Sequence, residues 1–224
     1  MGVRSSMKKS ITTKSLLASL VLSVLSFAPA TAATANQIVC KPTTAKARAP
    51  MKTTPPETAA KRLPKQLILR TNCGTIEIAL DPKAPFTVTQ ISALARAGYY
   101  NKTLCHREAV SGFYMLQCGD PTAEGGGSPG FSFGDENLPV GKALSYPAGT
   151  VAMANSGPQY PNSNGSQFFL VYGDSPALGP SYSVWGKITK GLDVLKFIAS
   201  KGVDDPSGIG KPKIKVAIES AIVR

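Results

Sequence analysis

Between residues 66 and 224, apolar positions alternate with polar positions in several short runs. Residues 66–71 and 75–80 show this period of two and flank the turn sequence Asn72-Cys73-Gly74, which predicts a β-hairpin. Further strands are predicted at 103–108, 114–118, 150–154, 167–172, 183–189 and 213–223. The pattern therefore indicates a mainly β domain.

Two segments have helical spacing instead. One begins near Pro85, places apolar residues on one face at Val88, Ile91 and Leu94, and meets a stop signal at Gly98. The other covers 191–199 and ends near Gly202. Many strands, two helices and long loops rich in glycine and proline predict a closed antiparallel β-barrel with helices at its ends.

The N-terminus has the pattern of a secretory signal peptide, predicted over residues 1–32. A basic stretch precedes the uncharged apolar run 16–28, and Ala30-Thr31-Ala32 has the small-x-small pattern of a cleavage site. The run is shorter than the about 20 apolar residues that span a bilayer. We expect cleavage after Ala32, a secreted or extracytoplasmic protein, and no stable membrane insertion afterwards. A retained anchor, or a lipid on Cys40, are the alternatives.

Residues 33–65 are rich in proline, threonine and lysine, and they predict a disordered tether; adhesion to an acidic surface is the alternative. The formal net charge of the chain is +12. Eleven basic residues and one acidic residue in 1–65 account for ten of these charges, which leaves +2 for residues 66–224. A nucleic-acid-binding domain should carry its positive charge on the folded part, so no nucleic-acid partner is expected.

The four cysteines predict disulfides, because export leads to an oxidising compartment. Three pairings are open; we favour Cys105 with Cys118, which bracket a stretch that folds back as two strands, and Cys40 with Cys73 then follows. The chain has one histidine and no Cys-x-x-Cys spacing, so no metal site is predicted. The glycine-rich stretch 125–130 matches a dinucleotide fingerprint in letters only, because no helix pattern follows it.

Four motifs carry the function prediction: Cys105-His106-Arg107, the stretch 113–120 (FYMLQCGD), the stretch 153–157 (MANSG) and the stretch 164–170 (NGSQFFL). With these motifs, residues 66–224 resemble the cyclophilins, and in particular the secreted cyclophilins of actinobacteria. The resemblance implies an eight-stranded antiparallel β-barrel capped by two α-helices. It also implies peptidyl-prolyl cis–trans isomerase activity without a cofactor.

Arg107 is the predicted catalytic residue, since it matches the arginine that follows the histidine in the family. Rotation about an X–Pro bond has a barrier of about 20 kcal/mol, because the amide must lose its conjugation. The proline nitrogen then regains a lone pair that can accept a hydrogen bond. A guanidinium is permanently charged and has several fixed donors, so it can stabilise the twisted amide preferentially.

The resemblance also implies a hydrophobic slot for the proline ring, lined by Tyr114, Met115, Phe169 and Leu178. Polar and backbone contacts to substrate are expected from the residues around it, namely His106, Gln117, Ala154, Asn155, Ser156, Gln167 and Tyr182. His106 is expected to support the slot without transferring a proton, because isomerisation moves none.

The chain departs from the family pattern beside this slot. When the chain is aligned with the family with a gap after Arg107, Tyr114 falls at the position of the family's phenylalanine. A different placement of the gap puts Phe113 at that position instead. Ala177 replaces the tryptophan of the slot's rim, so cyclosporin is expected to bind weakly.

The expected partners are proline-containing peptides and unfolded exported proteins. The alternative function is a proline-peptide binding or chaperone module with little turnover. No heptad pattern or long apolar edge stands out, so we expect a monomer.

Overall fold

The computed structural model describes residues 1–3 and 37–224, and within them it has ten strands and two helices. In chain order, these are β1 (Gln66–Thr71), β2 (Gly74–Leu80), α1 (Pro85–Arg96), β3 (Thr103–Leu104), β4 (Arg107–Ser111), β5 (Phe113–Cys118), β6 (Thr150–Met153), β7 (Phe168–Val171), β8 (Val184–Lys190), α2 (Leu192–Ala199), β9 (Ile209–Gly210) and β10 (Ala217–Val223). The predicted mainly β fold with two helices is confirmed.

All strands belong to one antiparallel sheet in the order β3-β10-β1-β2-β8-β6-β7-β5-β4-β9. The predicted strand 103–108 is two strands here: β3 pairs with β10, whereas β4 pairs with β5. Only Cys105 and His106 separate them, so this continuous segment joins two distant parts of the sheet order and curls the sheet into a barrel. Eight strands have four residues or more, and the two-residue strands β3 and β9 add to the expected eight.

The inner face of the sheet forms the main hydrophobic core. Trp185 of β8 is fully buried there, and its ring meets Phe168 of β7 edge to face at 5.6 Å between centroids. Val88, Ile91 and Leu94 of α1 pack into the same core, as do Leu195 and Ile198 of α2. The helices therefore bury the apolar faces that their spacing predicted.

Both helix starts are fixed by neighbouring segments. The backbone N–H groups of Phe86 and Thr87 donate to the carboxylate of Glu136 at 3.1 and 2.7 Å, which satisfies two donors at the start of α1. Gly191 precedes α2 with φ of 90°, and a Cβ there would lie 2.4 Å from the Thr75 carbonyl oxygen. Only glycine fits this close approach.

The segment 37–65 differs from the disordered tether that its composition predicts. Ala45 is buried, the Lys41 N–H donates to the Asn72 carbonyl at 2.8 Å, and the Lys65 N–H donates to the Arg224 carbonyl at 2.8 Å. An extended segment of small residues has little to bury, but its backbone groups find partners along the domain surface. We refer to residues 41–56 as the strap.

Both favoured disulfides are present in the structure: Cys105–Cys118 and Cys40–Cys73. The first links β5 to the residue before His106, and the second ties the segment before the strap to the β1–β2 turn. The sulfur of Cys40, which lipid anchoring would need, is therefore already bonded to Cys73.

The predicted signal peptide lies almost wholly outside the described residues and stays a prediction. In the described part of the chain, neither helix has the length and apolar character to cross a membrane.

Candidate active site

One row of side chains crosses four strands on the outer face of the sheet. Arg107 of β4 pairs with Gln117 of β5, Gln117 with Phe169 of β7, and Phe169 with Ala152 of β6. Side chains alternate between the faces of a strand, so this row points away from the core that contains Leu116 and Phe168. The outer face thus has its own cluster of apolar residues, with Met115, Phe169 and Ala152 buried in it.

This outer cluster forms the floor of a cavity of about 270 Å³, which we call the slot. Its lining consists of Arg107, Phe113, Met115, Gln117, Ala154, Asn155, Phe169, Leu178 and Tyr182. All of these except Phe113 are among the residues predicted from the sequence, and the fold brings them together from four separate parts of the chain. The slot combines an apolar floor with a cationic side.

Aromatic contacts fix the shape of the slot. Phe169 meets Tyr182 edge to face at 5.5 Å between ring centroids and meets Tyr146 at 5.8 Å. The hydroxyl of Tyr146 donates to the Tyr182 carbonyl at 3.1 Å and accepts from the Tyr182 N–H at 2.9 Å. Sequence reasoning missed Tyr146, because it lies in an irregular loop and no motif marks it.

A directed chain of hydrogen bonds holds Arg107. Its Nη1 donates to Oε1 of Gln117 at 3.2 Å, and Nε2 of Gln117 donates to Oε1 of Gln167 at 2.9 Å. Nε2 of Gln167 then donates to the carbonyls of Gly125 and Gly127 at 2.8 and 3.0 Å. Among the described residues no carboxylate pairs with Arg107, so most of its donors are not used within the protein.

The guanidinium also lies over an aromatic ring. Its central carbon is 5.8 Å from the centroid of Phe113, a distance at which a cation and a ring attract each other. This contact and the bond to Gln117 restrict Arg107 to one side of the slot.

A second cavity of about 370 Å³ adjoins the slot and shares Gln117, Ala154 and Asn155 with it. The rest of its lining is mostly small or hydroxyl-bearing: Gly125, Gly126, Gly127, Ser128, Phe131, Ser132, Ser156, Ser163, Gly165, Ser166 and Gln167. The structure therefore places Ser156 and Gln167 in the second cavity.

The loop around the second cavity is built on Asp120. Its buried carboxylate accepts hydrogen bonds from the N–H groups of Thr122 and Gly125 and from the Thr122 hydroxyl. Burial raises the pKa of Asp120, but these hydrogen bonds outweigh it and leave the pKa below its usual value. A Cβ at Gly127 would lie 1.8 Å from Oδ1 of Asp120, so only glycine at this position lets the loop pack against the Asp120 carboxylate.

Two predicted residues, Tyr114 and His106, have different surroundings from those expected. Tyr114 lies on the opposite face of β5 from Phe113 and Met115, because side chains alternate, and its ring is 6.1 Å from that of Tyr172. Tyr114 therefore does not line the slot, and Phe113, the competing choice, does. The Asn155 side chain donates one hydrogen bond to the Ser181 carbonyl and accepts one from the Gly157 N–H, and these bonds fix its orientation at the edge of the slot.

His106 lines neither cavity. It is buried beside Gly125, and neither ring nitrogen has a hydrogen-bond partner in the part of the chain that the structure describes. Burial lowers the pKa of its imidazole, so the ring is neutral at physiological pH. Its position is that of a packed residue behind the loop.

The fold and the site are thus a curled antiparallel sheet with an arginine beside an outward-facing apolar slot. Residues 66–223 match the family model described as cyclophilin type peptidyl-prolyl cis-trans isomerase/CLD. The chain belongs to this family.

Curated relatives agree with this assignment. The probable peptidyl-prolyl cis-trans isomerase B of Mycobacterium leprae is 43% identical over 164 residues, which cover 68% of this chain and 54% of the relative. The protein of the same name from Mycobacterium tuberculosis is 42% identical over 165 residues, which cover 68% and 52%. This chain thus spans about half the length of these relatives.

A solved structure has the same fold. The cyclophilin type peptidyl-prolyl cis-trans isomerase of Cryptosporidium parvum is 30% identical, with a TM-score of 0.62, over 71% of this chain and 97% of that one. The same protein crystallised in the presence of the dipeptide Ala-Pro matches with a TM-score of 0.61.

Proposed function

We propose that this chain is a peptidyl-prolyl cis–trans isomerase that accelerates X–Pro rotation in exported proteins. The observation that carries the proposal is the position of Arg107 at the side of an apolar slot. Family membership supports the reaction, and the Ala-Pro dipeptide used with the Cryptosporidium protein supports a prolyl ligand.

The slot would hold the proline ring against Phe169 and Met115, both of which are almost fully buried. This contact removes water from the ring and fixes the proline while the preceding residue rotates. The nitrogen of the twisted bond becomes pyramidal and basic, and Arg107 then donates to it. Because the planar amide nitrogen is a poor acceptor, this hydrogen bond stabilises the transition state over both ground states.

Gln117 is a positioning residue in this mechanism. Its carbonyl oxygen accepts from Arg107 and its amide is held by Gln167, so the guanidinium keeps one orientation throughout the rotation. No proton is transferred, and the neutral, buried His106 has no part beyond packing.

The exported context rests on two observations. The sequence 1–32 has the pattern of a signal peptide, and all four cysteines form disulfides in the structure, which is typical of oxidising compartments. The clients would be unfolded exported proteins with exposed prolines. Cyclosporin would bind weakly, because Ala177 has no indole to offer at the rim.

The test is a prolyl-peptide isomerisation assay on the chain from residue 33, with Arg107→Ala, Arg107→Lys and Arg70→Ala. Arg70 is an exposed arginine on β1 and is the matched control. Arg107→Ala should lose about 100-fold in kcat/KM, as expected for removal of one transition-state donor, while Arg70→Ala is unchanged. Arg107→Lys should be intermediate, because an ammonium keeps the charge but lacks the fixed, planar set of donors that a guanidinium has.

Two results would oppose the proposal in different ways. A wild-type chain no faster than buffer, but still able to bind proline peptides, would identify a binding or chaperone module. An active wild type with a fully active Arg107→Ala variant would remove Arg107 from the mechanism.

A further inference from the structure

The strap lies outside the region that matches the cyclophilin family, yet it touches the loop that forms the second cavity. The N–H of Arg48 donates to the Pro121 carbonyl at 2.8 Å, and Pro121 directly follows Asp120 in that loop. The Arg48 guanidinium donates to the Tyr99 carbonyl at 2.8 Å, which fixes this part of the strap to the residues after α1.

The C-terminal part of the strap is fixed to α1. Nε2 of Gln90, a buried residue of this helix, donates to the Pro56 carbonyl at 2.6 Å. Residues 53–56, one side of α1 and Phe131 enclose a cavity of about 200 Å³. Oγ1 of Thr53 and Oε1 of Gln90, two residues that line this cavity, are buried without a hydrogen-bond partner among the described residues.

Phe131 links this junction to the site. The same residue lines the cavity under the strap and the second cavity beside the slot. It is the one large apolar residue in a second cavity otherwise lined by small and polar groups. Its placement therefore decides how wide the second cavity is.

A peptide whose proline occupies the slot must extend its neighbouring residues past the shared residues Gln117, Ala154 and Asn155. One flanking side chain then enters the second cavity. The glycines and serines there fit a small or hydroxyl-bearing side chain, whereas an aromatic one would have to displace Phe131.

We propose that the strap is a specificity element: by holding the 120–131 loop and Phe131 in place, it makes the enzyme prefer small or polar residues next to the proline. This inference rests on the proposed isomerase function. Arg48 and Gln90 are positioning residues in it, because neither lines the slot or the second cavity.

The experiment measures kcat/KM for peptides in which one serine or one phenylalanine is placed at each position within three residues of the proline. The double variant Arg48→Ala/Gln90→Leu removes two of the strap's side-chain contacts, those to the Tyr99 carbonyl and to α1. Lys46→Ala/Lys52→Ala, at exposed strap positions, is the matched control. For the peptide position that enters the second cavity, kcat/KM with serine divided by kcat/KM with phenylalanine should fall about threefold to tenfold in Arg48→Ala/Gln90→Leu, and it should not fall in the control.

Several measurements separate this effect from general damage. The kcat/KM for peptides with alanine at every flanking position should stay within about twofold of wild type, because the slot is unchanged. Phe131→Ala should lower the same ratio directly, and Arg48→Lys should restore much of it, since an ammonium can still reach the Tyr99 carbonyl. If Gln90→Leu impairs folding, Cys40→Ser/Cys73→Ser offers a second route, because it frees the segment that precedes the strap.

The outcomes are distinguishable from failure of the proposed function. If the wild type does not catalyse isomerisation, the proposed function fails and the inference with it. If the wild type is active and the ratio is the same in the wild type, the double variant and the disulfide variant, the strap has no part in specificity.

Discussion

Glu108 gives the sharpest test of the physical picture, because it is a carboxyl group buried without a partner. It lies next to Arg107 on β4 but on the opposite face, where it pairs in register with the buried Leu116. Its side chain is fully buried and neither oxygen has a hydrogen-bond partner among the described residues. Burial raises the pKa of Glu108 from 4.5 to about 7.

The magnitude follows from this rise. At 1.36 kcal/mol per pH unit, a pKa raised from 4.5 to about 7 corresponds to a penalty of roughly 3 kcal/mol once the group is ionised. Between these two pH values the folded state holds a proton that the unfolded state has lost. The free energy of unfolding therefore falls as pH rises from about 4.5 to about 7, and it is constant above that range with respect to this group.

The perturbation is Glu108→Gln, which keeps the shape of the protonated acid and cannot ionise. At pH 4.5 the variant and the wild type should differ by less than about 1 kcal/mol. At pH 8 the variant should be more stable by about 2–3 kcal/mol. Urea unfolding at both pH values measures the difference, and the m-value should not change.

The comparison between variant and wild type is needed because His106 acts in the opposite direction. Burial lowers the pKa of His106, so the unfolded state binds its proton first and stability is lost as pH falls below about 6.5. This contribution is common to both proteins and cancels in the difference. Glu57→Gln, at an exposed position, is the control. A gain for Glu108→Gln that is equal at pH 4.5 and pH 8 would refute the reasoning.

Three further predictions follow from the geometry. Phe113→Ala should lower kcat/KM for prolyl peptides about tenfold whereas Tyr114→Ala should change it less than twofold, and equal losses in the assay would contradict the assignment of faces. Joint replacement of Cys105 and Cys118 by alanine should cost about 3 kcal/mol in urea unfolding, since the disulfide closes a loop of 13 residues, and an unchanged midpoint would oppose this. Titration with a proline peptide should leave the emission maximum of Trp185 unchanged, because this side chain is buried in the barrel core away from the slot; a shift would show that the core responds to ligand.

Local patterns predicted the local elements. The β1–β2 hairpin and both helices follow from a turn sequence and from apolar spacing, which act within a few residues. The slot residues were predicted because motifs at separate positions matched a family. Their grouping in space depends on strand order, which periodicity does not encode.

The errors have physical causes. Phe113 and Tyr114 are neighbours on β5, so their side chains lie on opposite faces of the sheet. The length of the loop after Arg107 does not determine from sequence which of the two faces the slot. The burial of Glu108 could not be predicted from the sequence. Both faces of β4 are covered, so the alternation of polar and apolar residues does not show which polar residue is buried. The segment 37–65 has few apolar residues, and composition cannot reveal that its backbone pairs with the domain.

The position of β10 has a consequence for biosynthesis. This last strand lies between β1, near the start of the domain, and β3, whose continuation carries Arg107. A nascent chain that still lacks residues 217–223 has nothing to join these two strands, so the sheet cannot wrap around before these residues have been synthesised. The barrel is therefore closed by a strand that is distant in sequence from the strands it joins, and this closure is expected to be a late step in folding.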